Sequence, residues 1–284
     1  MAKRLMGKPV VEALAREIGA HGQVLAERGI APGLALVRVG ERPDDLSYER
    51  TAEKRACALG VQVKKTVLPE DAAQDAIEAA IRSVNEDAAV HGCLMFRPLP
   101  SGIDEQAVCD ALATEKDIDG VSSAALASVF MDRDLGFAPC TAAACMKLLD
   151  FYDVALEGAH VVVVGRSLVI GKPIAMMLLR RNATVTLCHS RTADLPAVMR
   201  GADIVVCATG RPRMFKAECF SAGQTVLDVG INFDDEGNLC GDVDFDEVEP
   251  IVAAITPVPG GIGSVTTSVL MAHTVEAAVR KLDA

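Results

Sequence analysis

Residues 160–164 read HVVVV, an apolar run too short for a helix and without the alternation of a half-exposed strand. Such a run fits a central strand buried on both faces, as in parallel sheets covered by helices. Residues 184–188 (TVTLC), 203–207 (DIVVC) and 225–229 (TVLDV) repeat the type, and residues 171–180 supply a helical pattern between the first two. The second half of the chain therefore predicts a Rossmann-type unit. The first half has the same rhythm. Residues 34–39 (LALVRV), 61–67 (VQVKKTV) and 92–96 (GCLMF) read as strands, and residues 9–28 and 69–87 as helices. In the second of these helices Ile77, Ile81 and Val84 fall on one face. Residues 265–282 form a last amphipathic helix, placed to return to the first domain. The fold class is α/β in two domains: 1–140 plus 265–284, and 141–264.

Composition narrows the function classes. The chain has 28 basic and 39 acidic residues, a net charge of −11, which argues against a general nucleic-acid or anionic-membrane binder. No stretch reads as the roughly 20 apolar residues of a membrane span, and the N-terminus lacks a signal peptide's continuous apolar region. Nine cysteines without a Cys-x-x-Cys pair fit reduced thiols and a cytoplasmic protein better than a disulfide framework or a metal site. The acidic residues 234–249 read as a solvated loop.

The first strand of the second domain runs into Gly165-Arg166-Ser167-Leu168-Val169-Ile170-Gly171-Lys172-Pro173. This is not Gly-x-Gly-x-x-Gly, yet the physical elements are present. Gly165 permits a tight turn close to a ligand, and Gly171 opens a helix whose free N–H groups favour a phosphate. A plain strand-to-helix turn needs the same glycines. The next strand ends in Cys188-His189-Ser190-Arg191-Thr192. An acidic residue there would bind the 2′-hydroxyl of NAD; Ser190 and Arg191 suit a 2′-phosphate instead, and Arg166 adds a second positive charge. Taken alone, Arg191 reads as a solvated surface arginine. With the Gly165 turn upstream, the pattern points to NADP.

Further motifs are Lys116-Asp117-Ile118-Asp119-Gly120, Pro139-Cys140-Thr141, Asn182-Ala183-Thr184-Val185-Thr186 and Thr256-Pro257-Val258-Pro259-Gly260-Gly261-Ile262-Gly263. Together with the Gly165 and Ser190 segments, they make nearly the whole chain resemble the methylenetetrahydrofolate dehydrogenase/methenyltetrahydrofolate cyclohydrolase family, called FolD in bacteria. The resemblance implies a folate-binding catalytic domain (1–140 plus 265–284), a Rossmann-type NADP-binding domain (141–264), a cleft between them, and a homodimer. It implies oxidation of 5,10-methylenetetrahydrofolate with NAD(P), followed in most members by hydrolysis to 10-formyltetrahydrofolate. It assigns Gly165, Arg166, Ser167, Ser190, Arg191 and Ile231 to the cofactor. Asp119 would hold the pterin, and Pro259, Gly260, Gly261 and Gly263 would close the folate side. A carboxylate such as Asp119 can accept paired hydrogen bonds from an aminopyrimidine edge; as a loop residue it could equally cap a helix near Ser122.

The chain departs from the family at its catalytic stretch, Ser-x-x-Tyr-x-x-x-Lys. With Gly40 and Gly60 as anchors and no gap, Tyr48 falls on the tyrosine, Ala52 on the lysine and Asp45 on the serine. The family's Val-Gln-Leu-Pro-Leu-Pro becomes Met95-Phe96-Arg97-Pro98-Leu99-Pro100, and the residue after Gly263 is Ser264 rather than proline. Tyr48 and Phe96 are thus substrate-contact candidates, with Tyr48 and Asp119 the catalytic ones. Lys54 would lie on another helix face than Tyr48, and Arg55 about 10 Å further along the axis. Arg55 or Arg97 could reach the site, but a guanidinium stays protonated and is a poor base. The expectation is an NADP-dependent dehydrogenase whose cyclohydrolase step lacks its lysine. Two alternatives share these residues: a dehydrogenase for another one-carbon carrier, and a non-catalytic NADP- or folate-binding paralogue.

Overall fold

The structure, a computed structural model, describes residues 1–282. Its strands are β1 (Lys3–Arg4), β2 (Gly33–Val39), β3 (Gln62–Leu68), β4 (Gly92–Met95), β5 (His160–Val164), β6 (Thr184–Cys188), β7 (Ile204–Cys207), β8 (Thr225–Asp228), β9 (Asn232–Phe233), β10 (Leu239–Cys240) and β11 (Ala254–Ile255). The α-helices are α1 (Gly7–Glu27), α2 (Pro43–Ala58), α3 (Gln74–Glu86), α4 (Glu105–Asp110), α5 (Ser123–Met131), α6 (Cys140–Phe151), α7 (Gly171–Arg180), α8 (Leu195–Arg200), α9 (Phe245–Val248) and α10 (Ile262–Arg280).

The chain divides into two compact units. One comprises Ala13–Cys140 and the residues from Thr267 onward. Its sheet is parallel, in the order β3-β2-β4. The central strand β2 is buried throughout, whereas edge strand β3 carries its lysines outward. Helix α3 lays Ile77, Ile81 and Val84 on a core that includes Val37, Cys93, Met95 and Val108. Each fully buried side chain of this kind stabilises the unit by roughly 1.5–3 kcal/mol.

The other unit comprises Met1–Glu12 and Thr141–Thr266, around a parallel six-stranded sheet in the order β1-β11-β8-β7-β5-β6. Val161, Val162, Val163 and Val164 of β5 are all at most 2% exposed, as a run without alternation requires. From β5 the chain pairs β6 on one side and β7 on the other. The C-terminal end of β5 is therefore the point at which strand order reverses, where open α/β sheets bind ligands.

Several expectations need correction. Residues 1–12 belong to the Rossmann unit rather than to the folate-binding domain, because Lys3 and Arg4 pair in parallel with Ala254 and Ile255 and extend its sheet. The helix expected over 69–87 begins only at Gln74; before it, the Ala72 N–H donates to the Pro69 carbonyl in a turn. Residues 234–249 are not simply a loop. They hold β10, which pairs antiparallel with β9, and the short helix α9, whose Val248 is fully buried. Helix α10 does meet the length and hydropathy of a membrane span, at 19 residues. Its Val265, Val269, Leu270, Met271 and Val275 are buried among protein, as in a core helix.

Candidate functional site

In the Rossmann unit, a concavity of about 270 Å³ is lined by Val164, Gly165, Arg166 and Ser167 at the end of β5, by His189 and Ser190 after β6, and by Ala208, Thr209 and Arg211 after β7. Gly165 has φ +124, and a Cβ there would collide with the Ala208 carbonyl. A Cβ on Gly171 would strike the Gly165 carbonyl. Only glycines allow this close approach of turn, strand and helix, which leaves backbone rather than side chain facing the cavity. Ser167 Oγ accepts from the Ile170 N–H at 3.2 Å and fixes the turn. Arg191 lies just outside the lining, exposed, with its N–H donating to His189 Nδ1 at 3.1 Å. Arg166 and Arg211 bring two guanidinium-bearing side chains to one concavity beside Ser190, a setting for a phosphorylated nucleotide.

Ile231 stands apart from this lining, 62% exposed in the connection between β8 and β9. It packs instead toward Gly263, where an added Cβ would lie 3.0 Å from Ile231 Cδ1. The expected folate-side loop is held from beneath by the N-terminus. The Gly7 N–H donates to the Gly260 carbonyl at 2.8 Å, and Ser264 Oγ donates to the Gly261 carbonyl at 2.7 Å. Serine at 264 thus supplies a bond that proline there could not.

In the other unit, Tyr48 and Phe96 meet edge to face with ring centroids 6.1 Å apart. The Tyr48 phenol is held above its ordinary pKa by burial first, then by Asp119 and Cys140, while a hydrogen bond with Thr267 opposes the shift. The hydroxyl therefore stays protonated at neutral pH. Burial pushes the Asp119 carboxyl up to about 6; Arg97 and a hydrogen bond with Cys140 draw it down, and Asp117 pushes it up. Cys140 Sγ in turn donates to the Ile118 carbonyl at 3.2 Å. Tyr48, Phe96, Arg97, Asp119, Cys140 and Thr267 form one constellation through these couplings.

Asp119 does not cap a helix. That role belongs to Ser122, whose Oγ accepts from the Ala125 N–H, with fully buried Asp117 accepting from the Val121 and Ser122 N–H groups and from Ser122 Oγ. Lys116 is equally occupied. Its Nζ donates at 2.8 Å to the carbonyls of Val84, Asn85 and Asp87. Lys116 and Asp117, three and two residues before Asp119, are thus structural anchors of the segment that carries it.

Ala52 is fully buried on the face of α2 shared by Asp45, Glu49 and Ala56. Asp45 is paired to Arg42 at 2.8 Å, and Glu49 to Arg38 at 2.8 Å. Lys54 and Arg55 line a different depression, with Ser47, Arg50, Thr51 and Ala58. Neither takes the place of a lysine at 52. Sequence reasoning overlooked Thr209 and Arg211, whose position after the third Rossmann strand was the available signal, and the contributions of Cys140 and Thr267. A larger concavity of about 620 Å³, lined by His91, Lys116, Phe137 and Arg280 among others, contains none of the residues expected to bind cofactor or substrate.

A glycine turn at the reversal point of a parallel sheet, a basic nucleotide concavity and a second α/β unit carrying a partly buried carboxylate define a dinucleotide-dependent enzyme of two α/β units. Comparison with known proteins gives the family. Residues 5–119 match the description "Tetrahydrofolate dehydrogenase/cyclohydrolase, catalytic domain" and residues 139–282 "Tetrahydrofolate dehydrogenase/cyclohydrolase, NAD(P)-binding domain". The chain is 50% identical over 279 residues to the bifunctional protein FolD of Carboxydothermus hydrogenoformans, covering 98% of this chain and 97% of that one. Among solved structures, the bifunctional FolD of Campylobacter jejuni shares 35% identity with a TM-score of 0.96, covering 99% of this chain and 100% of that one. The Trypanosoma brucei enzyme, solved with NADP cofactor and an inhibitor, shares 36% identity with a TM-score of 0.94, covering 100% and 99%. The chain belongs to the tetrahydrofolate dehydrogenase/cyclohydrolase family, the FolD family.

Proposed function

We propose that this member of the family is an NADP-dependent 5,10-methylenetetrahydrofolate dehydrogenase whose methenyltetrahydrofolate cyclohydrolase step is weak or lost. The observation that carries the reading is the fully buried methyl group of Ala52, in the same chain as a concavity lined by Gly165, Arg166, Ser167 and Ser190. The bound dinucleotide supplies the hydride acceptor. For that transfer the protein has only to hold and orient the substrate, since the hydride leaves with its electron pair and no proton moves. The ionised Asp119 accepts two hydrogen bonds from an aminopyrimidine edge, the protonated Tyr48 and Phe96 offer ring faces, and the Gly165 turn with Arg166, Ser190 and Arg191 holds the phosphorylated end. Hydrolysis is a different demand. Water must add to the methenyl carbon and lose a proton, and alanine can neither polarise the water nor accept that proton.

The test is one absorbance time course with purified protein, methylenetetrahydrofolate and NADP+, following NADPH and the methenyl product separately. NADPH with a methenyl product that persists longer than with an authentic bifunctional enzyme supports the reading. Rapid methenyl loss shows that another group replaces the lysine. Absence of NADPH with retained NADP+ binding moves the assignment to a different one-carbon carrier or to a binding role.

The same reading extends to the chain's surroundings. Nine free cysteines, eight of them buried, suit a reducing cytoplasm. The unpaired outer edge of β6, with Leu187 and Leu179 exposed beside it, suits a homodimer contact.

A further inference from the structure

Two buried carboxylates lie behind the nucleotide concavity and have no part in the function derived above: Asp228 at the end of β8 and Asp242 just after β10. Asp242 is 0% exposed, and neutral donors meet its carboxylate oxygens. Its Oδ2 accepts from the Thr209 N–H, from Thr209 Oγ1 at 2.9 Å and from the Gly210 N–H at 3.2 Å. Its Oδ1 accepts from the Arg211 N–H at 3.0 Å and from Asn232 Nδ2 at 2.9 Å. Three successive backbone N–H groups, with Gly210 at φ +65 between the other two, thus converge on one carboxylate. That is the backbone concavity which elsewhere captures anions. Here the chain fills it with its own side chain.

What the carboxylate grips is functionally placed. Thr209 and Arg211 line the concavity together with Gly165, Arg166 and Ser167. Asn232 follows Ile231, and the Gly230 N–H on the other side of Ile231 donates to Asp228 Oδ1 at 3.1 Å. Asp228 also accepts from the N–H groups of Asp242 and Val243, each at 2.9 Å, and so fixes Asp242 itself. The packing admits no side chain: a Cβ on Gly230 would run into the Asp242 carboxylate, and one on Gly241 into that of Asp228. Residues 209–211 belong to no strand or helix, so these bonds are what locates their backbone.

We propose that Asp242 is a positioning residue for the dinucleotide. It holds Thr209, Gly210 and Arg211, and through Asn232 the turn bearing Ile231, in the arrangement that a bound nucleotide meets. This inference rests on the reading of the unit as an NADP site, so the two must be able to fail separately. Calorimetry of NADP+ with the full wild-type chain comes first, because absence of binding overturns that reading and the inference with it. Given wild-type binding, Asp242→Asn puts an amide N–H2 where an oxygen received N–H groups. Its Kd and KM for NADP+ rise at least about tenfold, while kcat and the KM for methylenetetrahydrofolate stay within about twofold. A merely structural role gives the opposite split: a smaller active fraction lowers kcat and leaves the NADP+ KM alone. A Kd within about twofold of wild type overturns the proposal. Should Asp242→Asn fail to fold, hydrogen exchange on the unliganded wild-type chain decides. The amides of 209–211 are expected to exchange at least about a hundredfold more slowly than free loop amides, and exchange at the free-loop rate overturns the proposal.

Discussion

A single carboxyl group carries the pH dependence expected of this protein. Folding raises Asp119 from the ordinary 3.8 to about 6, chiefly by burial. The fold therefore favours its protonated form: the stabilising contribution is complete below about pH 4 and is lost as pH rises through 6. On the proposed reading substrate binding has the opposite need, because only the ionised group can accept both hydrogen bonds of an aminopyrimidine edge. The kcat/KM for methylenetetrahydrofolate should rise about tenfold per pH unit below 6 and level off above it. Asp119→Asn should give a low profile without that acid limb; an unchanged limb in the variant assigns the titration to another group. Position 52 makes a second demand. Ala52 has no exposed surface, so Ala52→Lys inserts a four-carbon stem where only a methyl fits. The variant is expected to lose about 1–3 kcal/mol of stability in a urea titration. In the fraction that folds, methenyl hydrolysis should increase. Folded Ala52→Lys without any gain in hydrolysis would show that Asp45 and Phe96 weigh as heavily as the missing lysine.

Helix α3 ends against one side chain. Lys116 gives all three of its N–H bonds to carbonyls of or just beyond the last turn of α3, while only 7% exposed. Replacing it with methionine keeps most of the stem and removes three charge-assisted bonds at a helix C-terminus, where a cation is favoured. Lys116→Met should destabilise the unit of residues 13–140 by at least about 2 kcal/mol in urea unfolding, with NADP+ affinity unchanged. Equal stability would mean that water replaces the ammonium group without cost. At this scale the sequence was a good guide wherever hydrophobic pattern decides structure. The unalternating β5 and the Ile77, Ile81, Val84 stripe of α3 follow from the order of apolar residues alone, because burial on two faces or on one stripe leaves that signature. The Gly165 turn was legible for a related reason, since a close backbone approach admits no side chain. What escaped notice depends on partners distant in sequence. Edge strand β1 reads only Lys3-Arg4 and owes its existence to Ala254 and Ile255, about 250 residues away. Asp242 looked like one acid in a solvated acidic stretch, although its donors at 209–211 bury it completely.

For the molecule as a whole, the sheet edge formed by β6 is where the proposed homodimer contact is tested. Strand order places β6 at the end of the six-stranded sheet, so five residues present one side of their backbone to no neighbouring strand of that sheet. Edges of this length are normally blunted by charge, bulges or covering structure. Here Thr184–Cys188 contains no charged residue, Leu187 is 37% exposed, and Leu179 in the preceding helix is 55% exposed. In a chain of net charge −11, general repulsion opposes self-association, so a homodimer must draw its stability from a local uncharged surface such as this one. A lysine on the strand's outer face is the least disruptive way to disable it, since a long side chain can reach water from a free edge but not from a closed interface. Sedimentation of the wild-type chain at micromolar concentration is therefore expected to show a dimer, and that of Leu187→Lys a monomer. A wild-type monomer removes the homodimer altogether. A Leu187→Lys dimer of undiminished stability places the contact on another surface and leaves the β6 edge to be explained by its short length alone.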